Sequence, residues 1–386
     1  MERLRGLGAA WSCRQAVLVV DPSVMAGGYV ERVIEHLDDL LVAVHVLDPG
    51  EPTAAGVDRA AAAVRAADRA VVVGIGGGSA LDAAKQAAAV ACGAHGIEHY
   101  ALGANPWPEA RYPSVAIPTT AGTGSEVTRT CIFTDRAGRK VWTWGDELLP
   151  DVVLLDPAAT ATMPRTVTTA SGLDAFVHAV EACTGRRATA SVVEPALRAA
   201  RLVVDHLPAA VNDGPNGNDL AARQGMQEAA LLAGMAIDGG GTGIAHSIGH
   251  ALGTLAGVPH GVAVAVGLAA SLEWNIAGAA EAYVDIARAL GCRASELPQA
   301  YDQLTRDALL AGAVARVGPL DVAAHVIAAT MVAEENEPMW ANNCRRADDD
   351  DRLALATATL DRWDAFCTSQ PAGSGRLRRA EPGSRA

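Results

Sequence analysis

Asp174 and His178 stand four residues apart in GLDAFVHAVEA, His246 and His250 repeat that spacing in GIAHSIGHALG, and His260 follows in VPHG. Residues four apart share one helix face, so a carboxylate oxygen and an imidazole nitrogen at that spacing can address one point in space. A single pair of this kind is commonly a surface or capping pair. Adding His246 and His260 to Asp174 and His178 gives three imidazoles and one carboxylate, a donor set that suits a divalent first-row metal such as Fe(II) or Zn(II).

Two further segments have the chemistry of an anion cradle. Gly76-Gly77-Gly78-Ser79 closes the apolar run RAVVVGI and opens into ALDAAK, a strand followed by a helix whose first N–H groups and positive dipole end can hold a pyrophosphate. Triple glycines also occur at plain turns. A second loop, TTAGTGS at 119–125, ends another apolar run, so its hydroxyls and glycines belong at the same edge of an open sheet. Asp21 ends the first apolar run. It either accepts hydrogen bonds from an adenosine ribose, which favours NAD over NADP, or simply opens the turn before Pro22.

GGGSALDAAK at 76–85, PTTAGTGSEVT at 118–128, the D-x-x-x-H of Asp174 and His178, and the histidines at 246, 250 and 260 together resemble the iron-dependent (group III) alcohol dehydrogenase family over roughly residues 10 to 350. That resemblance implies that Asp174, His178, His246 and His260 bind the catalytic metal, Fe(II) or alternatively Zn(II). It places His250 beside nicotinamide and substrate without being a ligand, where a pKa near neutrality would let it relay a proton. It assigns Asp21, Gly77, Gly78, Ser79, Asp82, Thr119, Thr120, Thr123 and Lys140 to NAD(P), and implies a small alcohol or aldehyde substrate and a homodimer. Two departures bear on specificity. Ile237-Asp238-Gly239-Gly240-Gly241 stands where an aromatic residue and Asn are usual, so Asp238 is expected to add negative charge near the substrate, and Glu51 replaces a usual Asn. A dehydroquinate-synthase-like cyclase would need a cationic phosphate site, and Arg165, Arg186, Arg187 and Arg198 show no such pattern. A maleylacetate-reductase-like enzyme would work without the metal set, and a non-catalytic binding protein would have lost a ligand.

The elements that must position these residues follow from periodicity. The apolar, β-branched run at 16–20 reads as a buried parallel strand, and 41–47, 69–75 and 114–117 as further strands, with 131–134 and 152–155 as later ones; helical spacing at 29–40 and 57–67 separates the first three. From about 166 to 366 the apolar residues recur at helical spacing. The fold class expected is α/β plus all-α: a Rossmann-like parallel-sheet domain over 1–156, a helical metal-binding domain over 157–368, and a disordered Pro/Gly/Ser/Arg-rich tail over 369–386. The acidic run Asp348–Asp351 is expected to cap the final helix.

Composition narrows the partners. Half the residues are hydrophobic but only 4% aromatic, which suits Ala/Val/Leu-packed helices and strands. A net charge of −13 argues against nucleic acid and anionic membranes and for a small molecule. No secretory signal is visible, and the apolar run from Val262 to Leu272 is too short to span a bilayer, so it reads as a buried helix. Seven cysteines, scattered singly, read as reduced packing residues of a cytoplasmic protein.

Overall fold

The computed structural model describes residues 11–214 and 219–369, so the expected tail lies, apart from Ser369, outside the described residues. Strands β1 (Gln15–Val20), β2 (Leu41–Val46), β3 (Ala70–Gly76), β4 (Ser114–Pro118) and the two-residue β7 (Val152–Val153) form one parallel sheet in the order β2-β1-β3-β4-β7. Helices α1 (Tyr29–Leu37), α2 (Ala54–Ala66) and α3 (Gly78–Val90) connect the first strands. Leu18 and Val73 pack with Val30 and Val33 of α1, whereas Val17 and Val72 pack with Val57 of α2 and Ala83 of α3. Both faces of β1 and β3 are covered, which is why those strands are apolar throughout rather than alternating. Gly74 is required by that packing, since a Cβ there would meet the Ala84 Cβ at 2.7 Å.

The expected strand at 131–134 has a different role from the others. It forms β5 (Thr130–Thr134), an antiparallel hairpin with β6 (Lys140–Trp144), separate from the parallel sheet; β6 is a strand beyond those expected from the sequence. The turn is closed by the Asp135 N–H donating to the Arg139 carbonyl, and by two N–H groups, of Ala137 and Arg139, donating to the Asp135 side chain. The alternating β-branched and aromatic residues of KVWTW suit a strand, but a run of five residues between turns gives only a short signal in the sequence. The helix expected over 29–40 ends at Leu37, because Asp38 takes a positive φ of 46° before a short 3-10 turn.

Beyond β7 no strand occurs among the described residues. Helix α4 (Arg165–Thr184) runs through the centre of the second half with Gly172 to Thr184 buried. Around it lie α5 (Ala190–Asp213), α6 (Leu220–Gly240), α7 (Ile244–Ala256) and α8 (His260–Ala279). The Val262–Leu272 run lies in α8 and is almost entirely buried. The final helix, Asp349–Thr368, begins with a capping box in which Asp348 and Asp351 each accept the other's backbone N–H, the role expected of the acidic run.

Candidate metal centre

Asp174 and His178 lie one turn apart on α4, His246 and His250 one turn apart on α7, and His260 is the first residue of α8. The reversal between α7 and α8 is made by Gly257, at φ +63°, followed by Val258 and Pro259. It returns His260 to the face that carries His246. Asp174 Oδ1 is 3.6 Å from His178 Nε2, 3.7 Å from His246 Nε2 and 3.6 Å from His260 Nε2. These distances exceed a hydrogen bond. They are close to the separation of about 3.4 Å between two ligands each about 2.1 Å from one tetrahedral ion.

Buried polar atoms normally find partners, yet Asp174 Oδ1 and His246 Nε2 are buried without one. A cation between them would satisfy both, so the residues fit the metal that their types suggested. The far side of two rings is tied down: His178 Nδ1 faces the Gly122 carbonyl at 3.3 Å, and His246 Nδ1 donates to Glu181 Oε2 at 2.6 Å. Burial depresses the pKa of His178 and His260, favouring the neutral form that donates a lone pair. For His246 burial also acts downward, but the Glu181 and Asp174 carboxylates outweigh it and the pKa is raised.

The raised pKa has a measurable consequence. Metal-free His246 holds its second proton to higher pH than an ordinary histidine does, and a cation must expel that proton. Apparent metal affinity should therefore climb with pH through the titration of His246. Zn(II) added to stripped protein in weak buffer should release up to about one proton from His246 per site; release that does not change across that titration would contradict the assignment.

His250 stands outside the four-residue cluster, its ring centroid 5.5 Å from that of His260 and 6.4 Å from that of His246. Its Nδ1 lies 3.0 Å from Asn336 Oδ1, and the Asn336 amide is oriented by donating to the Thr330 carbonyl. The expected pKa near neutrality does not hold: burial first, then the Lys140 ammonium and His246, push His250 down to about 3.

The two cofactor-loop candidates meet. A Cβ on Gly77 would lie 3.2 Å from Thr120 Cγ2, and one on Gly78 would lie 2.9 Å from Thr123 Cγ2. Ser79 follows in the first turn of α3, and the Thr119 N–H donates to the Gly76 carbonyl. Asp82 sits beneath this surface, 8% exposed, with Oδ1 accepting from the Ser125 hydroxyl and Oδ2 from the Ile132 N–H. Buried Lys85, which sequence reasoning passed over, donates to the carbonyls of Ser125 and Thr128. Asp82 thus acts on the loops from within the protein. Asp21 Oδ1 accepts from the Ser23 N–H, the turn-opening role, while its Cβ lies 2.7 Å from where a Gly76 Cβ would be, against the glycine loop. Lys140, on β6, pairs with Glu51 at 2.9 Å. Asp238 does not offer the free charge expected of it: it accepts from the Arg129 N–H and Nε at 2.7 and 2.9 Å, so its charge is matched across the two halves of the chain.

The model of the iron-containing alcohol dehydrogenases matches residues 1–157, and that of the C-terminal part of the same family matches 168–359. An NAD-dependent methanol dehydrogenase of Bacillus methanolicus is 33% identical over 77% of this chain and 77% of its own length. The chain belongs to the iron-containing alcohol dehydrogenase family. It is a metal-dependent oxidoreductase that moves hydride between a nicotinamide dinucleotide and a small alcohol or aldehyde, and the cyclase-like and non-catalytic alternatives are not favoured. A probable alcohol dehydrogenase, EutG, of Salmonella typhimurium is 35% identical to this alcohol dehydrogenase over 76% of each. Sulfoacetaldehyde reductase of Bifidobacterium kashiwanohense, solved with NAD+, superposes with a TM-score of 0.84 at 25% identity, covering 96% of this chain and 95% of that one.

Proposed function

We propose that Asp174, His178, His246 and His260 hold ferrous iron, with Zn(II) as the other ion the set suits, and that the loops at 76–79 and 119–125 hold NAD. The convergence of the partnerless Asp174 Oδ1 and His246 Nε2 carries this reading. When bound, the ion supplies Lewis acidity to a substrate oxygen and the nicotinamide gives or takes the hydride. Gly77 and Gly78 keep side chains away from the start of α3, whose first N–H groups have no carbonyl within the helix and serve the pyrophosphate. Thr119, Thr120 and Thr123 supply hydroxyls from the adjoining loop. Asp82 holds the two loops together through Ser125, and Lys140, paired with Glu51, stands at the start of β6 on the side of the hairpin toward His250 and His260. His250 is neutral, with Nδ1–H held by Asn336 and Nε2 left as a proton acceptor. A ring pushed this far below neutrality is a weak base, so it can stand in a proton path only as a neutral hydrogen-bonding group.

The experiment is aldehyde-dependent NADH oxidation over a panel of small aldehydes, on protein stripped of metal and reconstituted separately with Fe(II) and Zn(II). Turnover that requires metal supports the reading; NADH binding without turnover for either ion defeats it. NAD should exceed NADP in kcat/KM by on the order of tenfold, since Asp21 opposes a 2′-phosphate. Asp21→Ser should narrow that ratio, and an NADP preference would refute the role of Asp21.

The same reading puts the domain boundary at 156/157 and makes the protein a cytoplasmic homodimer. Val42, Val44 and Val46 are exposed on β2, at the sheet edge, where no strand pairs with its outer side among the described residues. An apolar open edge favours a second copy, and light scattering should give twice the chain mass. Cysteines without disulfides among the described residues suit a reducing compartment, and fractionation of cells checks it. One stretch, His260–Ala289, is long and apolar enough to cross a membrane, but 61% of its apolar 18-residue window is buried within the molecule and it starts with a candidate metal ligand, which favours a core helix.

A further inference from the structure

Glu181 lies on α4, three residues beyond His178 and seven beyond Asp174, on the same helix face, and is 6% exposed. A buried carboxylate needs compensation, and this one receives three N–H groups. Its Oε2 accepts from the Gly243 backbone at 2.8 Å and from His246 Nδ1 at 2.6 Å; Oε1 accepts from the Ala245 backbone at 2.6 Å. The approach is tight, since a Cβ on Gly243 would lie 3.0 Å from Oε1 and 3.2 Å from Asn343 Oδ1. Glu181 therefore grips both the first turn of α7 and the imidazole that this turn carries.

We infer that Glu181 is a positioning residue for the metal: by accepting from His246 Nδ1–H, it fixes the tautomer in which Nε2 is the free donor, and with Asp174 it balances a dication's charge. The inference rests on the metal reading above. A carboxylate that takes the far N–H of a ligating imidazole orients the ring and strengthens it as a ligand. No feature of the sequence marked it, because a lone Glu in an apolar helix reads as a surface position.

The test is Zn(II) affinity of stripped protein, measured by competition with a chromophoric chelator. Glu181→Gln places an amide N–H group against donors, and affinity should fall about 10- to 100-fold. Asn343→Ala is the control for a merely structural role: its Oδ1 accepts from the Ile244 N–H at 3.4 Å, so it supports the same turn without touching His246. That variant should melt earlier but bind Zn(II) near the wild-type affinity. Equal affinity for Glu181→Gln and wild type, or an equal loss in Asn343→Ala, overturns the role of Glu181. A wild-type chain that binds no ion overturns the metal reading itself. Should Glu181→Gln not fold, histidine-selective nitrogen-15 spectra of the unaltered zinc-loaded protein decide: His246 must carry its proton on Nδ1, and coordination through Nδ1 would refute the inference.

Discussion

Asp174→Ala leaves a protein that keeps its fold but neither retains metal nor turns over substrate. Asp174 Oδ1 is the one anionic atom facing all three Nε2 atoms, at 3.6 to 3.7 Å, and without it the cluster is three imidazoles with no anionic donor, leaving only Glu181 behind His246 to offset a dication. Loss of a direct ligand should exceed the penalty for loss of an outer partner, so affinity should drop by more than about 100-fold. With Lewis acid stabilisation of several kcal/mol gone, kcat/KM should fall on the order of a thousandfold. Asp174→Asn, which keeps the volume and removes the charge, should show most of the loss. Elemental analysis of purified protein together with NADH oxidation checks both numbers, and full metal content in either variant would show that Asp174 is not a ligand.

Gly124→Ala should damage fold and cofactor site together. Gly124 has φ +64°, and an added Cβ would stand 2.4 Å from Gly234 Cα and 2.8 Å from the Ala230 carbonyl oxygen, both on the backbone of α6. A left-handed conformation costs about 1–2 kcal/mol for a residue with a Cβ, and an overpacked contact about 1–3 kcal/mol more. Backbone cannot rotate aside as a side chain can, so the loop must lift away from α6. That loop also carries Gly122, whose carbonyl meets His178, and Ser125, which holds Asp82 and Lys85. The variant should melt several degrees lower and bind NADH more weakly. Wild-type melting temperature and NADH affinity would mean that the close approach to Gly234 is not needed.

The Asp174–His178 pair of the candidate metal cluster was legible because an i, i+4 spacing is a property of the chain itself: wherever GLDAFVHAVEA is helical, the two share a face, whereas the family resemblance singled out His246 and His260. The glycine loop was legible for a similar reason, since a turn into a helix needs small residues at the turn whatever surrounds it. Strands β1, β3 and β4 announced themselves as apolar runs, the pattern of strands buried on both sides, whereas the edge strand β2 alternates between half-buried and exposed residues. Each of these signals is local, decided within about ten residues.

The supporting residues were not local. His246 meets Glu181 across 65 positions, His250 meets Asn336 across 86, Lys85 meets Ser125 across 40, and Arg129 meets Asp238 across 109. Helical periodicity says which residues of α4 share a face, but not that the start of α7 will lie against that face. The family departure at Asp238 was visible in the sequence, whereas its neutralisation by Arg129 depends on how the turn at 125–127, just before Arg129, packs against α6. Residue type and spacing determined which chemistry this chain can perform. Helix and loop packing decided which nitrogen of each histidine faces the metal, how strongly it is held, and which charges are left free to act, because those properties depend on neighbours that only the folded chain brings within hydrogen-bond distance.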